Sequence, residues 1–410
     1  MNIDVMRWID HWAGVPLCFL LTLIRRLFLP RQSGRPAPRR ILFIELSEMG
    51  STILADPAMR KARQHFDAEL FFVIFRRNAD SLAFLRTVPE ANVYTIREDS
   101  LLTLAFDTLG FLLWTRRWGI DSVIDLELFS RFTALLTGLS GAKWRVGFYR
   151  FHNEGLYRGE LLTHRVAYNP HLHIAKNFIA LVNALSGPDD QVPFSKTVID
   201  DSETVVSKVA VSTTATLDMQ KRIALAYPGF DKDRQRIVLL NPTASALLPQ
   251  RRWPHEHFAA LAKKILETWP DVLILITGAP EEAAEADLLR AQVSAPRLVN
   301  FAGRQKLTEL PALYALASLM VTNDSGPGHF AAVSDMPVVS LFGPETPALY
   351  GPLGRGDSLS VGMACSPCVS AANHRKTACR EPLCMKFLMP ETVFEKVRHW
   401  LEAPSPRPLD

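Results

Sequence analysis

Apolar residues along this chain fall into short continuous runs separated by longer segments of helical period. The first run is ILFIEL (41–46), and the segment 53–66 after it has helical spacing. The strand-like run ELFFVIF (69–75), a long apolar helix over 101–118, the strand SVIDLEL (122–128) and a helix over 131–140 stopped by Gly141 follow. Residues 192–227 are mixed, with no dominant period. A second series opens at IVLLNP (237–242) and continues with strands over 271–278, 298–303, 319–324 and 337–343. Helical segments at 255–268, 281–293, 307–317 and 326–333 separate these strands. In the first of them Phe258, Leu261, Ala262 and Ile265 share one face. Nearly uninterrupted apolar strands alternating with helices indicate parallel sheets covered on both faces. Two such series predict an α/β protein of two doubly wound domains. Ligands are then expected at strand C-terminal ends and in the cleft between domains.

Length and composition fit that picture: 410 residues suit two domains, and 48% hydrophobic content is that of a globular chain. A net charge of +4, with no basic stripe carrying interleaved aromatics, argues against a nucleic-acid partner. The charge is uneven, since Arg25, Arg26, Arg31, Arg35, Arg39 and Arg40 crowd the first forty residues. There the apolar run PLCFLLTLI is followed by Arg25-Arg26, LFLP and the linker RQSGRPAPRR. The run is shorter than the ~20 apolar residues that span a bilayer. Its charge follows the apolar part, the reverse of a secretory signal. The Pro/Gly/Arg linker leaves such a helix no obvious core to join, so residues 1–38 are expected to be an amphipathic membrane-associating helix with a basic linker. A core-packing helix is the plainer alternative. The remaining boundaries are 39–205 for an N-terminal domain, 206–236 for an interdomain segment and 237–410 for a C-terminal domain.

Three loops carry candidate chemistry in the second series. In NPTASALLPQRRWP (241–254), Thr243 and Ser245 offer hydroxyls, and Arg251 or Arg252 can grip a phosphate bidentately. In TNDSGPGHFAAV (322–333), Asp324 stands at a strand end, where it can accept from sugar hydroxyls, and Ser325-Gly326 open a helix whose N–H groups suit a diphosphate. His329 follows within that helix. In TGAPEEAAEADLL (277–289), Glu281 or Glu282 can bind ribose hydroxyls at a strand–helix turn, or simply favour the helix start. In the first series LSEMGSTILADP (46–57) also reads as strand, glycine turn and helix start.

The order of these stretches resembles glycosyltransferase family 9, the ADP-heptose:lipopolysaccharide heptosyltransferases. The resemblance runs from about Ile41 to Trp400 and is strongest over 237–354, through RRWPHEHFAALA, DSGPGHFAA and SLFGPETPALYGP. It implies the GT-B fold, two Rossmann-like domains facing a central cleft, with the nucleotide-sugar donor mainly on the C-terminal domain. It places Thr243 and Ser245 at the diphosphate, and Arg251 where the family has a phosphate-binding lysine. Glu282, or Glu281, would hold the ribose, and Lys306-Leu307 would border the adenine. Asp324 would meet the sugar, Ser325 and Gly326 would supply N–H groups, and His329 would brace the loop. The acceptor would enter from the N-terminal domain. The family's first loop reads Gly-Asp, the Asp serving as general base, but here the pair is Gly50-Ser51. Serine alone is a poor base, so Glu48, three residues earlier, is expected to take that role in preference to Asp56.

Four of the five cysteines, Cys365, Cys368, Cys379 and Cys384, form C-x2-C and C-x4-C pairs around a ten-residue gap that contains His374. That spacing fits a tetrahedral zinc knuckle, and reduced buried thiols are the alternative. The resemblance implies no cofactor for transfer, so any zinc is structural. The expected function is inverting transfer of a heptose, or a related sugar, from an ADP-sugar to a lipopolysaccharide-core or other glycolipid acceptor. The expected location is peripheral, on the cytoplasmic face of the bacterial inner membrane. A transferase of the same fold with another sugar or acceptor is one rival. A non-catalytic nucleotide-sugar-binding homologue, for which Ser51 speaks, is the other.

Overall fold

The computed structural model describes residues 3–28, 37–151, 156–187, 192–245, 247–371, 373 and 375–403. His374 and linker residues 31–36 lie outside them. The chain divides into an N-terminal unit, Met1–Val205, and a C-terminal unit, Val206–Asp410.

The N-terminal unit runs α1 (Ile3–Trp12), α2 (Gly14–Phe28), β1 (Arg40–Ile44), α3 (Met49–Phe66), β2 (Glu69–Phe75), β3 (Val93–Ile96), α4 (Leu101–Arg117), β4 (Ser122–Asp125), α5 (Arg131–Leu139), β5 (Trp144–Tyr149), β6 (His164–Ala167) and α6 (Ile174–Ala184). Its six strands pair in parallel in the order β3-β2-β1-β4-β5-β6. Connections leave β1 toward one edge and β4 toward the other, so the order reverses between these two neighbours, the place where doubly wound sheets open a crevice. The β1 and β2 side chains are buried on both faces, because α3 packs with α6 while α4 joins α5.

The C-terminal unit runs α7 (Thr213–Ala226), β7 (Arg236–Asn241), α8 (His255–Thr268), β8 (Val272–Ile276), α9 (Ala283–Val293), β9 (Leu298–Asn300), α10 (Leu310–Leu316), β10 (Ala317–Asn323), α11 (Gly326–Phe330), β11 (Val338–Leu341), α12 (Pro347–Tyr350), β12 (Gly356–Leu359), α13 (Leu383–Lys386) and α14 (Pro390–Glu402). Its sheet repeats the plan in parallel as β12-β11-β10-β7-β8-β9, with the reversal between β7 and β10. The predicted face of α8 is buried: Phe258, Leu261, Ala262 and Ile265 pack with Val393, Phe394 and Val397 of α14.

Two expectations change. Helix α3 starts at Met49, four residues before the predicted start, so Ser51 lies in its first turn and Pro57 sits inside the helix. Asp56 is fully buried there, ion-paired to Arg60 and bonded to the Thr87 hydroxyl, which assigns it to the frame of the unit. The N-terminal helix also has a core to join. Gly14, Cys18 and Thr22 form a stripe of small side chains one helical turn apart, and that stripe packs α2 onto α5. A Cβ on Gly14 would lie 2.7 Å from the Arg131 Cβ. The Thr22 hydroxyl accepts the Glu160 N–H at 2.9 Å, and Arg25 donates to the Gly138 carbonyl at 3.0 Å. Burial pushes the Cys18 thiol up to about 11. At the other end, the Asp10 carboxylate of α1 accepts the Arg131 and Phe132 N–H groups, each at 2.9 Å, and so caps α5.

Candidate functional site

At the β7–β10 junction the structure assembles most of the residues expected to hold a diphosphate. Strand β10 ends at Asn323, whose side-chain amide donates to the carbonyls of Pro242 and Thr243 and whose oxygen accepts the Trp253 N–H at 3.0 Å. One buried asparagine thus ties the loop that follows β7 to Trp253 of the RRWP segment. Asp324 follows, buried, and Arg251 donates to its carboxylate at 3.4 Å. The Arg251 Nε is buried with no hydrogen-bond partner among the described residues, which leaves a cationic donor unspent beside the strand ends. Thr243 is buried and Ser245 exposed, its hydroxyl accepting the Leu247 N–H. The Ser325 hydroxyl lies 3.1 Å from that of Thr322. Gly326 opens α11, and His329 is buried in its last turn.

The two remaining donor-site candidates have structural duties. Glu282 folds back on its own turn and accepts the Ala279 N–H at 2.7 Å, while Glu281 is exposed. Leu307 is half-buried at the head of the turn into α10. That turn is anchored by a two-pronged Arg222–Glu309 pair at 2.6 and 2.8 Å, which holds the Glu309 carboxyl down at about 2.

At the β1–β4 junction of the N-terminal unit the groups are carboxylates. Glu48 is the N-cap residue of α3, and the Ser51 hydroxyl donates to its Oε2 at 3.4 Å. The structure therefore couples Ser51 to the Glu48 carboxylate. It also adds a residue that the sequence reading passed over. Glu127, two residues past β4, accepts the N–H groups of Leu46 and Ser47 at 2.9 and 3.0 Å and the Ser47 hydroxyl at 2.8 Å. Burial pushes the Glu127 carboxyl up; the hydrogen bonds from Leu46 and Ser47 oppose this, and the charges of Asp125 and Glu48 add to it. Beneath it lies the buried Asp125–Arg158 ion pair, and Arg158 also donates to Thr133 and to the Ser130 carbonyl. In the sequence Glu127 sat inside an apparent strand; its available signal was an acid at a strand's C-terminal end.

The four cysteines are near neighbours, since the charges of Cys368, Cys379 and Cys365 bear on Cys384. Cys365 is exposed, Cys368 donates to the Thr377 hydroxyl at 3.4 Å, and Cys384 is buried, its thiol pushed up by burial. A Cβ on Gly343 would lie 2.9 Å from the Cys384 sulfur. Among the described residues no group of three or more His, Cys, Asp or Glu is arranged to hold a metal ion. A structural zinc on Cys365, Cys368, Cys379 and Cys384 is therefore not shown.

Comparison with known proteins decides the family. Residues 116–378, more than half of the chain, match the model of glycosyltransferase family 9 (heptosyltransferase). The chain belongs to this family. Over 107 residues it is 38% identical to lipopolysaccharide heptosyltransferase 2 of Salmonella typhimurium, covering 26% of this chain and 30% of that protein. Over 192 residues it is 27% identical to lipooligosaccharide heptosyltransferase 2 of Campylobacter jejuni, covering 45% and 57%. The matched stretches thus span between about a third and just over half of these family members. The fold likeness is broader: the structure of E. coli ADP-heptose lps heptosyltransferase II aligns with a TM-score of 0.67 and 19% identity, over 88% of this chain and 98% of that one. The two six-stranded parallel sheets are the GT-B fold of that family.

Proposed function

We propose that the chain is an inverting glycosyltransferase that moves a heptose, or a related sugar, from an ADP-linked donor to a hydroxyl of a lipopolysaccharide-core or other glycolipid acceptor. The observation that carries this reading is the Arg251–Asp324 pair at the β7–β10 junction, with the Arg251 Nε unpartnered among the described residues. A bound diphosphate gives that guanidinium a better partner than a single carboxylate, and it frees Asp324 to accept from sugar hydroxyls. Thr243, Ser245 and the Ser325-Gly326 turn complete the diphosphate side. Glu282 and Leu307 border the nucleoside, and His329 supports the loop.

In the proposed reaction the acceptor oxygen attacks the anomeric carbon as the bond from that carbon to the diphosphate oxygen breaks. ADP departs with the bonding electron pair, and the acceptor proton passes to Glu48. Arg251 neutralises the charge that develops on the leaving diphosphate. Ser51 hydrogen-bonds the Glu48 carboxylate and orients it. The Trp-bearing N-terminal helices suit a peripheral position on the cytoplasmic face of the inner membrane, beside a lipid-linked acceptor.

Calorimetric titration of ADP, with GDP and UDP as controls, tests the donor site. Arg251→Ala is expected to weaken ADP by roughly 1.5–3 kcal/mol, the scale of a lost charged contact. Unchanged ADP affinity in that variant would overturn the phosphate role. A second reading, a nucleotide-sugar-binding homologue without turnover, is favoured by one observation: Ser51 stands where the family carries its acid. Donor binding without turnover on any lipopolysaccharide-core acceptor would select it.

A further inference from the structure

Helix α4 carries a stripe that its fold does not use. Leu102, Phe106, Leu109 and Leu113 fall on one helical face and are each at least 61% exposed, while Phe111 and Thr115 of the same helix are buried. Four large apolar side chains in line toward water, on a helix whose other face is already packed, are a patch and not a scatter. The N-terminal helices show the same pattern. Val5, Trp8 and Trp12 line one face of α1; Leu17, Leu20, Ile24, Leu27 and Phe28 line α2, and all are exposed. Helices α2 and α4 both pack against α5, and their C-terminal ends meet at its C-terminus: Arg25 reaches the Gly138 carbonyl and Arg116 the Leu139 carbonyl.

That shared end is cationic. Arg25 and Arg26 close α2, Arg116 and Arg117 close α4, and Lys143 is exposed a few residues beyond α5. Carboxylates on these helices are few and mostly engaged. Helix α2 has none, Asp107 of α4 is held by Arg97, and Asp10 of α1 caps α5; Asp4 at the start of α1 is exposed. An apolar face with tryptophans, bordered by arginines, matches an anionic lipid surface: acyl chains take the leucines and phenylalanines, and head-group phosphates take the guanidiniums.

We infer that α4 and α1–α2 form one composite membrane-insertion surface, and that the N-terminal helices lie flat on the bilayer rather than crossing it. The stretch Asp4–Phe28 is long and apolar enough to span by length and composition. Its Gly14–Cys18–Thr22 stripe, however, is committed to α5, and the Thr22 and Arg25 hydrogen bonds would have to break for it to leave. The inference rests on reading the N-terminal helices as a membrane contact and adds α4 to it.

The test is sedimentation of the full chain with vesicles of phosphatidylcholine alone or mixed with phosphatidylglycerol. Three variants are compared with wild type: Leu102→Ser/Phe106→Ser on α4, Phe19→Ser/Leu27→Ser on α2, and Arg26→Gln/Arg117→Gln. All six side chains are exposed, so each variant should keep the wild-type circular dichroism and ADP affinity, which separates this test from the transferase reading. Each apolar double variant is expected to lower partitioning onto anionic vesicles by about tenfold or more. The arginine variant should abolish the preference for anionic over neutral vesicles. Wild-type partitioning in the α4 variant, with loss in the α2 variant, overturns the composite surface and leaves only the N-terminal helices. Wild-type partitioning in both apolar variants overturns membrane contact altogether. A fall in molar mass of the α4 variant by light scattering, with vesicle binding unchanged, assigns the stripe to self-association and overturns the inference.

Discussion

At the β1–β4 junction the N-terminal unit gathers carboxylates, Glu48 and Glu127, above a buried Asp125–Arg158 pair. At the topologically equivalent β7–β10 junction the C-terminal unit sets the Arg251 guanidinium against Asp324, with Thr243, Ser245 and Ser325 nearby. Both crevices arise from one strand order. The chemistry differs because each strand end is followed by a different loop. The acidic junction can take a proton and the mixed one can hold an anion. A transfer that deprotonates a hydroxyl and expels a diphosphate needs one of each.

The comparison is broken most sharply at Glu48. If the acidic junction supplies the base, Glu48→Gln should cut turnover by about 10²–10⁴-fold while ADP affinity stays at the wild-type value. Single-turnover transfer beside calorimetry reads both, and turnover within a few-fold of wild type removes Glu48 from the chemistry. Next comes the frame below it. Arg158→Met leaves the fully buried Asp125 without its charged partner, so chemical denaturation should show a loss of about 3–5 kcal/mol. The exposed Lys232–Asp233 pair, by contrast, should yield under about 1 kcal/mol when broken. At the mixed junction, Asp324→Asn removes the carboxylate that holds Arg251 in the absence of donor. Free ADP should then bind with unchanged or slightly tighter affinity, whereas a sugar-bearing donor should lose a contact worth about 1–3 kcal/mol. Equal losses for both ligands would place Asp324 at the nucleotide and not at the sugar.

The sequence disclosed the parts of this comparison that follow from local pattern. Strands β1, β2, β7, β8, β10 and β11 are continuous apolar runs because both sheet faces are covered, and all were readable. Strands β5 and β6 were not, since β5 carries the buried Arg145, whose guanidinium is satisfied by the Leu161 and Ala142 carbonyls, and β6 is only HRVA. The start of α3 was placed too late because Met49-Gly-Ser-Thr lacks an apolar period. The docking of α2 was hidden for a similar reason: Gly14, Cys18 and Thr22 are inconspicuous in an apolar run, and their partner stripe lies more than a hundred residues away. Loop motifs exposed Arg251, Asp324 and Glu48 one by one. Their pairings did not show, because Arg251 with Asp324 and Glu127 with Leu46 are contacts that only the closed sheet creates.

Glu127 gives the smallest effect and the most specific one. Its carboxyl is pushed up on folding, so between its unfolded value near 4.5 and its higher folded value the native state holds more proton than the unfolded chain. Unfolding free energy therefore falls as pH rises through that window, and the stabilisation is complete only below the unfolded value. Glu127→Gln keeps an acceptor for the Leu46 and Ser47 N–H groups but cannot ionise, so it lacks this slope. Melting midpoints from about pH 4.5 to about pH 8 should show the variant gaining on wild type as pH increases. A constant difference across the range would mean that the carboxyl titrates alike in both states. If Glu127 also positions the loop that carries Glu48, the variant should lower kcat with little change in ADP affinity. Glu127→Asp, one methylene too short to reach Leu46 and Ser47, should then lower kcat further while regaining the charge. Because charge and reach separate in this pair, the two variants together tell whether the acidic junction acts through its proton or through the loop it holds.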